Sequence, residues 1–254
     1  MALLLTLFLG LSACSTVPRT FSPPHPIAPP AYSAELFDQV LSQHVTDGHV
    51  NYPAITQDSR LRDYLDQLNR VDPQQFSTRE ERLAFWVNAY NAFAIQGILD
   101  GLSPETLVGK YQFFISQNYS VGGATINLFD LEQKILIPDF HEPRIHFAIV
   151  CASRSCPLLR SEAFSPTRLE IQLDDGAQRF INDPRRNHFD QEQKIAYLSK
   201  IFDWFTEDFE AKSGSLIKYI AQYVSDSHLA QDLRETTYQV EFLDYDWRLN
   251  GSPP

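Results

Sequence analysis

The stretch "RLAFWVNAYNAFAIQGILDG", Arg82–Gly101, constrains this chain more than any other. Leu83, Phe85, Trp86, Val87, Tyr90, Phe93, Ile95 and Ile98 leave a helix of that sequence with no polar face. A helix that is apolar all round is buried. Ser77-Thr78-Arg79-Glu80 reads as a capping box at its start, so the sequence predicts a buried central helix over residues 78–100. Asn88 and Asn91 then share one side of it at i, i+3 spacing. A buried amide without hydrogen bonds costs a few kcal/mol. Each must therefore reach a partner, most simply loop backbone, otherwise the turn after Cys151 or a substrate amide.

Around that helix the reading is mixed. Apolar spacing predicts helices from Ser33 to His44, over Leu61–Leu68 and over Leu128–Leu136, the last stopped by Pro138. Further helices are predicted from Ser165-Pro166 to Asn182, after Ser199 through "KIFDWFTEDF", and over Leu216–Val224. "HVNYP" is extended, Tyr111–Ile126 reads as a hairpin turning near Gly122-Gly123, Ile195–Leu198 reads as a strand, and "YQVEFLDYDWRLN" as a strand with a compact tail. Ile145–Cys151, a continuous apolar run, is expected to be an interior strand. The expected fold is α+β: a predominantly helical domain around a small sheet of about three to five strands. It occupies residues 33–254 as a single globular domain, with room for a lobe.

The N-terminus points to export. Ala2–Leu11 is apolar but too short to span a bilayer, and suits the hydrophobic part of a signal peptide. Leu11-Ser12-Ala13-Cys14 resembles a bacterial lipoprotein lipobox, although no basic residue precedes Arg19. The resemblance implies removal of residues 1–13 and a lipid bilayer anchor through acylated Cys14, bearing chains such as palmitate. Pro-rich residues 14–32 would be a tether. Ser15 matches the outer-membrane default, implying the inner leaflet of that membrane, facing the periplasm. A net charge of −11 without a Lys/Arg cluster argues against nucleic acid and anionic lipid heads as partners. No phosphate loop and no metal-spaced acidic pair is present, so no cofactor and no metal is implied.

Chemistry concentrates in "RIHFAIVCASRSCPLL", Arg144–Leu159. Cys151 and Cys156 are the chain's only cysteines besides Cys14. They could be a disulfide across a short turn, which an oxidising compartment favours. They could be buried thiols. Alternatively, Cys151 is a nucleophile at a strand end, with Arg154 favouring its thiolate. A zinc reading with His141 and His146 fails on ligand spacing. In a regular strand His146 and Cys151 face opposite ways, leaving His44, His49 and His188 as other candidate bases.

Several stretches together resemble the family named domain of unknown function 547, shared by bacterial exported proteins and by plant and animal proteins. They are "DGHVNYPAI" (Asp47–Ile55), "AFWVNAYNAFAI" (Ala84–Ile95), "PRIHFAIVCASRSCPLL" (Pro143–Leu159), "FIND" (Phe180–Asp183), "LSKIFDWFTEDF" (Leu198–Phe209) and "YDWRLN" (Tyr245–Asn250). The resemblance implies a family core over residues 47–250. It also implies that Trp86, Asn88, Tyr90, Asn91, His146, Cys151, Ser153 and Pro157 belong to the family pattern. Plant members keep the first cysteine and carry serine at the second, which implies that a 151–156 disulfide is not the family's common function. No activity comes with the family.

Three functions stay open. The leading one is a lipid-anchored binding or scaffold protein, in which Trp86, Tyr90, Ser153, Arg154 and Trp247 contact a protein, peptide or glycan. The second is a cysteine hydrolase or acyltransferase with Cys151 as nucleophile, His146 or another histidine as base, and Asn88 or Asn91 as oxyanion donor. The third is a thiol-redox protein using Cys151 and Cys156.

Overall fold

The computed structural model describes residues 20–23, 25–28 and 31–254. The signal segment 1–13 and Cys14 lie outside the described residues. The described chain forms two compact units, one of residues up to Phe180 together with Asp246–Pro254, the other Ile181–Tyr245. It is α+β and predominantly helical, with its strands shared among three small sheets.

The larger unit begins with α1 (Glu35–His44), then a hairpin of β1 (Val45–Thr46) and β2 (His49–Asn51) turning at Asp47-Gly48. α2 (Tyr52–Thr56) follows, capped by Asn51, then α3 (Ser59–Arg70), capped by Asp58. The central helix α4 (Arg79–Leu99) buries every residue from Leu83 to Ile95, and Gly97 and Ile98 beyond. Its capping box is Thr78 with Glu81, one residue later than the sequence suggested, because Thr78 rather than Ser77 takes the extended N-cap conformation. The described part of the Pro-rich segment lies against this unit: Ile27 pairs with Val71, and the Tyr32 hydroxyl meets that of Tyr64 at 2.7 Å.

After α4 comes α5 (Leu107–Tyr111), running into one π turn over Gln112–Ser116. The expected hairpin is shorter than read: β3 (Tyr119–Val121) and β4 (Ala124–Ile126) turn at Gly122-Gly123. Next, α6 (Leu128–Leu131) passes through a π turn, Glu132–Leu136, into α7 (Ile137–Phe140). Pro138 was expected to stop the helix at Leu136. The chain instead continues to His141, since a proline at the start of a new α turn has no intrahelical donor to lose.

The interior strand expected over Ile145–Cys151 does not form. Pro143–Phe147 is a 3₁₀ turn capped by Glu142, and residues 148–151 run on without a neighbouring strand. α8 (Leu169–Ile181) starts about a turn later than Ser165-Pro166 suggested.

The smaller unit holds a three-stranded sheet. β5 (His188–Asp190) pairs antiparallel with β6 (Ile195–Leu198), and β6 pairs parallel with β7 (Gln239–Phe242). Between β6 and β7 come α9 (Lys200–Trp204), α10 (Thr206–Ser213), α11 (Leu216–Ile220) and α12 (Ser227–Glu235). Ser199 caps α9 as read; the sequence reading missed α12, which Asp226 caps. The buried rings of Phe202, Phe209 and Tyr219 pack in series, each tilted against the next. The chain then returns to the larger unit, where β8 (Gly251–Ser252) pairs parallel with β2. Among the described residues no helix is long and apolar enough to cross a membrane.

Candidate functional site

The buried asparagines of α4 explain why Ile145–Cys151 is not a strand. Asn91 donates from Nδ2 to the Ala148 carbonyl at 3.0 Å and accepts from the Val150 N–H at 2.9 Å. One side-chain amide thus does what a rung of a neighbouring strand would do, so the backbone is satisfied without a sheet. Asn88 does the same at Phe164, donating to its carbonyl at 2.8 Å and accepting its N–H at 2.9 Å. Gln172 holds the flanking Ala163 carbonyl and Ser165 N–H, each at 2.9 Å, and Asp38 accepts the Ala163 N–H. Both asparagines and Gln172 are at most 3% exposed.

Between these two fixed segments lies the loop of Cys151 and Cys156. Their sulfurs are bonded, with the Cα atoms 6.3 Å apart, inside the range a disulfide spans. The two ends differ. Cys156 is buried, 3% exposed, while Cys151 is partly open to solvent. Cys156 Sγ accepts from the Cys151 N–H at 2.9 Å and from the Ser153 hydroxyl at 3.4 Å; Ser153 Oγ is also 3.2 Å from Cys151 Sγ. Ala152 takes a left-handed φ of 62°, unfavourable for a residue with a Cβ. The Asn250 N–H holds its carbonyl at 3.0 Å.

The C-terminal strip closes the loop from a third side. Ser153 bridges Leu249, the Arg154 N–H donates to the Arg248 carbonyl at 2.8 Å, and the Ser155 N–H to that of Asp246. In return the Asp246 N–H donates to Ser155 Oγ at 2.9 Å. The strip is tied to the start of α2, directly after the β1–β2 hairpin: the Tyr52 hydroxyl donates to Asn250 Oδ1 at 2.8 Å. At the hairpin turn Gly48, at φ +76°, lies where any Cβ would strike Leu158, two residues past Cys156. The Arg248 guanidinium, hydrogen-bonded to Asp246, holds that carboxyl below its usual range.

The structure thus brings Asn91, Cys151, Ser153, Arg154 and Cys156 into one neighbourhood, with Asn88 securing its far flank. Asn88 and Asn91 spend their carbonyl oxygens on backbone. Trp86 and Tyr90 lie in the interior, Trp86 against Phe85 and Phe21. Trp247 is half-exposed beside the strip, with the Lys110 ammonium 3.9 Å above its ring. His146 is buried on the 3₁₀ turn, so the strand alternation that set it opposite Cys151 does not apply. His44 is paired with Asp58 and His49 with Ser252; His188 stacks on Tyr197.

Residues 73–181 match the model of a family described as "Protein of unknown function, DUF547". The matched stretch contains α4, the cysteine loop and α8, which is the asparagine-held core of the site. The β1–β2 hairpin and the C-terminal strip lie outside it. No curated protein and no solved structure matches the chain. Sequence reasoning missed Gln172, Tyr52 and the bracing role of Asn250. Gln172 had a signal: it falls on the inward face of its helix with Leu169 and Leu173.

Proposed function

We propose that this is a cell-envelope protein, lipid-anchored through Cys14 and facing the periplasm, whose Cys151–Cys156 pair exchanges disulfides with partner proteins. The observation that carries the reading is the asymmetry of the pair: a partly exposed Cys151 bonded to a buried Cys156 whose sulfur already accepts two hydrogen bonds. A partner thiolate attacks Cys151 Sγ and the 151–156 bond breaks. Its electron pair goes to Cys156 Sγ, where the Cys151 N–H and the Ser153 hydroxyl stabilise the leaving thiolate. A stabilised leaving thiolate leaves faster and makes the pair more oxidising. A second partner thiol attacks the partner's own sulfur in the mixed disulfide, releasing Cys151 as thiolate. The partner dithiol is oxidised to a disulfide, the pair is reduced, and a small-molecule disulfide of the envelope reoxidises it. The loop keeps its course meanwhile, because Asn91, Asn88 and residues 246–250 hold it independently of the sulfur bond.

The test is oxidation of a dithiol peptide by the purified chain, with a small-molecule disulfide as the terminal oxidant. Cys156→Ser removes the sulfur that leaves in the first step and should cut turnover sharply, and Ser153→Ala should slow turnover about fivefold, one hydrogen bond of about 1 kcal/mol. A wild-type rate no higher than that of a Cys151→Ala/Cys156→Ala chain would overturn the reading. A binding role without exchange is the second reading. It is favoured by half-exposed Trp247 and exposed Arg154 beside the loop. It expects the double alanine chain to keep its partner. A cysteine hydrolase would need the pair reduced before Cys151 could attack.

A further inference from the structure

Among the described residues large apolar side chains left in solvent are rare and not scattered. Leu107, Val108 and Tyr111, at 69%, 68% and 46% exposure, share the five residues of α5; Ile171 is the only other exposed large hydrophobic among the described residues. Next to them Lys110 lies over the ring of half-exposed Trp247, and Phe114 meets that ring edge-on. The presentation is fixed, since a Cβ on Gly109 would sit 2.0 Å from the Ser103 carbonyl oxygen. α5 therefore packs through its glycine and keeps Leu107 and Val108 outward. We infer that this Leu-Val-Lys-Tyr-Trp surface is a foot resting in the headgroup layer of a lipid bilayer.

Three arguments choose lipid as the occupant. The first is composition: aromatic rings and a lysine with an apolar stem are the side chains that suit a boundary apolar on one side and wet on the other. The second is charge. Although the chain is acidic, at −11, and Arg248 is paired with Asp246, the Lys110 ammonium lies over the Trp247 ring, where the phosphate of a zwitterionic headgroup would meet it. The third is reach, and it rests on the lipid-anchored reading proposed above. Phe21 is seated against Trp86 and Gly122. Six residues from Cys14 to Thr20 span at most about 20 Å. Trp86 and Gly97 are eleven residues apart, three turns, so they share one face of α4 about 17 Å apart. Phe113, in the π turn that continues α5, lies against Gly97. An anchor at Cys14 would thus hold the Phe21 seat within reach of the lipid, and α4 links that seat to the helical segment that carries the exposed apolar residues.

The experiment imposes the anchor chemically. With Cys151 and Cys156 bonded, Cys14 is the one remaining thiol, and the full chain can be coupled through it to maleimide-bearing vesicles of phosphatidylethanolamine and phosphatidylglycerol. Brominated acyl chains then quench the fluorescence of tryptophans that reach the interface. Wild type should be quenched; Trp247→Phe and Leu107→Gln/Val108→Gln should each lose about half of that quenching or more. The glutamine side chains replace residues already in solvent, so folding should be retained. Quenching that is unchanged in either variant overturns the inference. So does an uncoupled chain that is a dimer in sedimentation and becomes a monomer on the Leu107→Gln/Val108→Gln change, since a second copy would then cover the surface. Failure of the anchor reading shows separately, as a cell-derived protein whose mass carries no lipid at Cys14.

Discussion

Asn91 and Asn182 make the same pair of hydrogen bonds in two different units. Asn91 bridges the carbonyl of Ala148 and the N–H of Val150; Asn182 bridges the carbonyl of Tyr223, at 2.8 Å, and the N–H of Ser225, at 2.8 Å. Each spans residues i and i+2 of a distant segment and replaces one rung of a missing strand. What differs is water. Asn91 is 3% exposed, whereas Asn182 is at the surface. In the first case removing the amide strands two buried backbone groups, in the second solvent takes them over. The difference extends to the surroundings. The cysteine loop is held mainly by neutral side chains and backbone from far along the chain. The smaller unit leans on ion pairs, Asp183 with Arg185 and Arg186 and Lys194 with Asp232.

Four measurements would break or sharpen that contrast. The largest effect is expected for Asn91→Ala, about 3 kcal/mol in urea unfolding, because two buried groups lose their partners at about 1–3 kcal/mol each. A loss below about 1 kcal/mol would show that the loop holds its own course. Reduction of Cys151–Cys156 comes next. Closing so short a loop contributes at most about 2 kcal/mol on chain entropy, so the reduced chain should unfold cooperatively at slightly lower urea. Asn182→Ala is expected to cost less than about 1 kcal/mol, as water replaces the amide. The smallest effect concerns pH. Lys194, with the Tyr238 hydroxyl, lowers the Asp232 carboxyl from 3.8 to about 2. A carboxyl depressed by folding adds stability above its unfolded pKa, and loses it as pH falls through its folded one. Amide exchange in α12 and β7 should therefore quicken between about pH 4 and pH 2. An unchanged exchange rate there would remove the pair from the account.

Much of this was legible from residue order, for stated reasons. The central helix announced itself by lacking a polar face, and that same lack marked Asn88 and Asn91 as amides that must bond to something. Their partners were not legible, because side-chain hydrogen bonds to backbone 57 and 76 residues away leave no local pattern. The Ile145–Cys151 run shows the limit most clearly. Continuous apolar residues report burial, and burial is equally compatible with a strand, a 3₁₀ turn or an extended segment held by side chains. Pro138 misled for a related reason: it breaks a helix only where an N–H is required, and a π turn passing into a fresh α turn does not require it. For α12 the signal was present and overlooked, with Asp226 as cap and Leu229, Ala230 and Leu233 at helical spacing.

The return of the last nine residues to the larger unit bears on the order in which the protein is made. Both cysteines leave the ribosome together and can meet at once. The strip that braces the backbone between them is synthesised 91 to 95 residues later. At about 5–20 residues per second the pair waits some 5–20 s for that brace, and every long-range contact adds closure entropy that slows the final docking. In an oxidising compartment the sulfur bond needs only this local meeting, so it can close before the strip docks and then holds the turn together without the folded surroundings. A chain truncated before Asp246, or one whose C-terminus is blocked by a bulky fusion, should stay in that early state: oxidised at Cys151 and Cys156, yet with the turn between them never fixed in place.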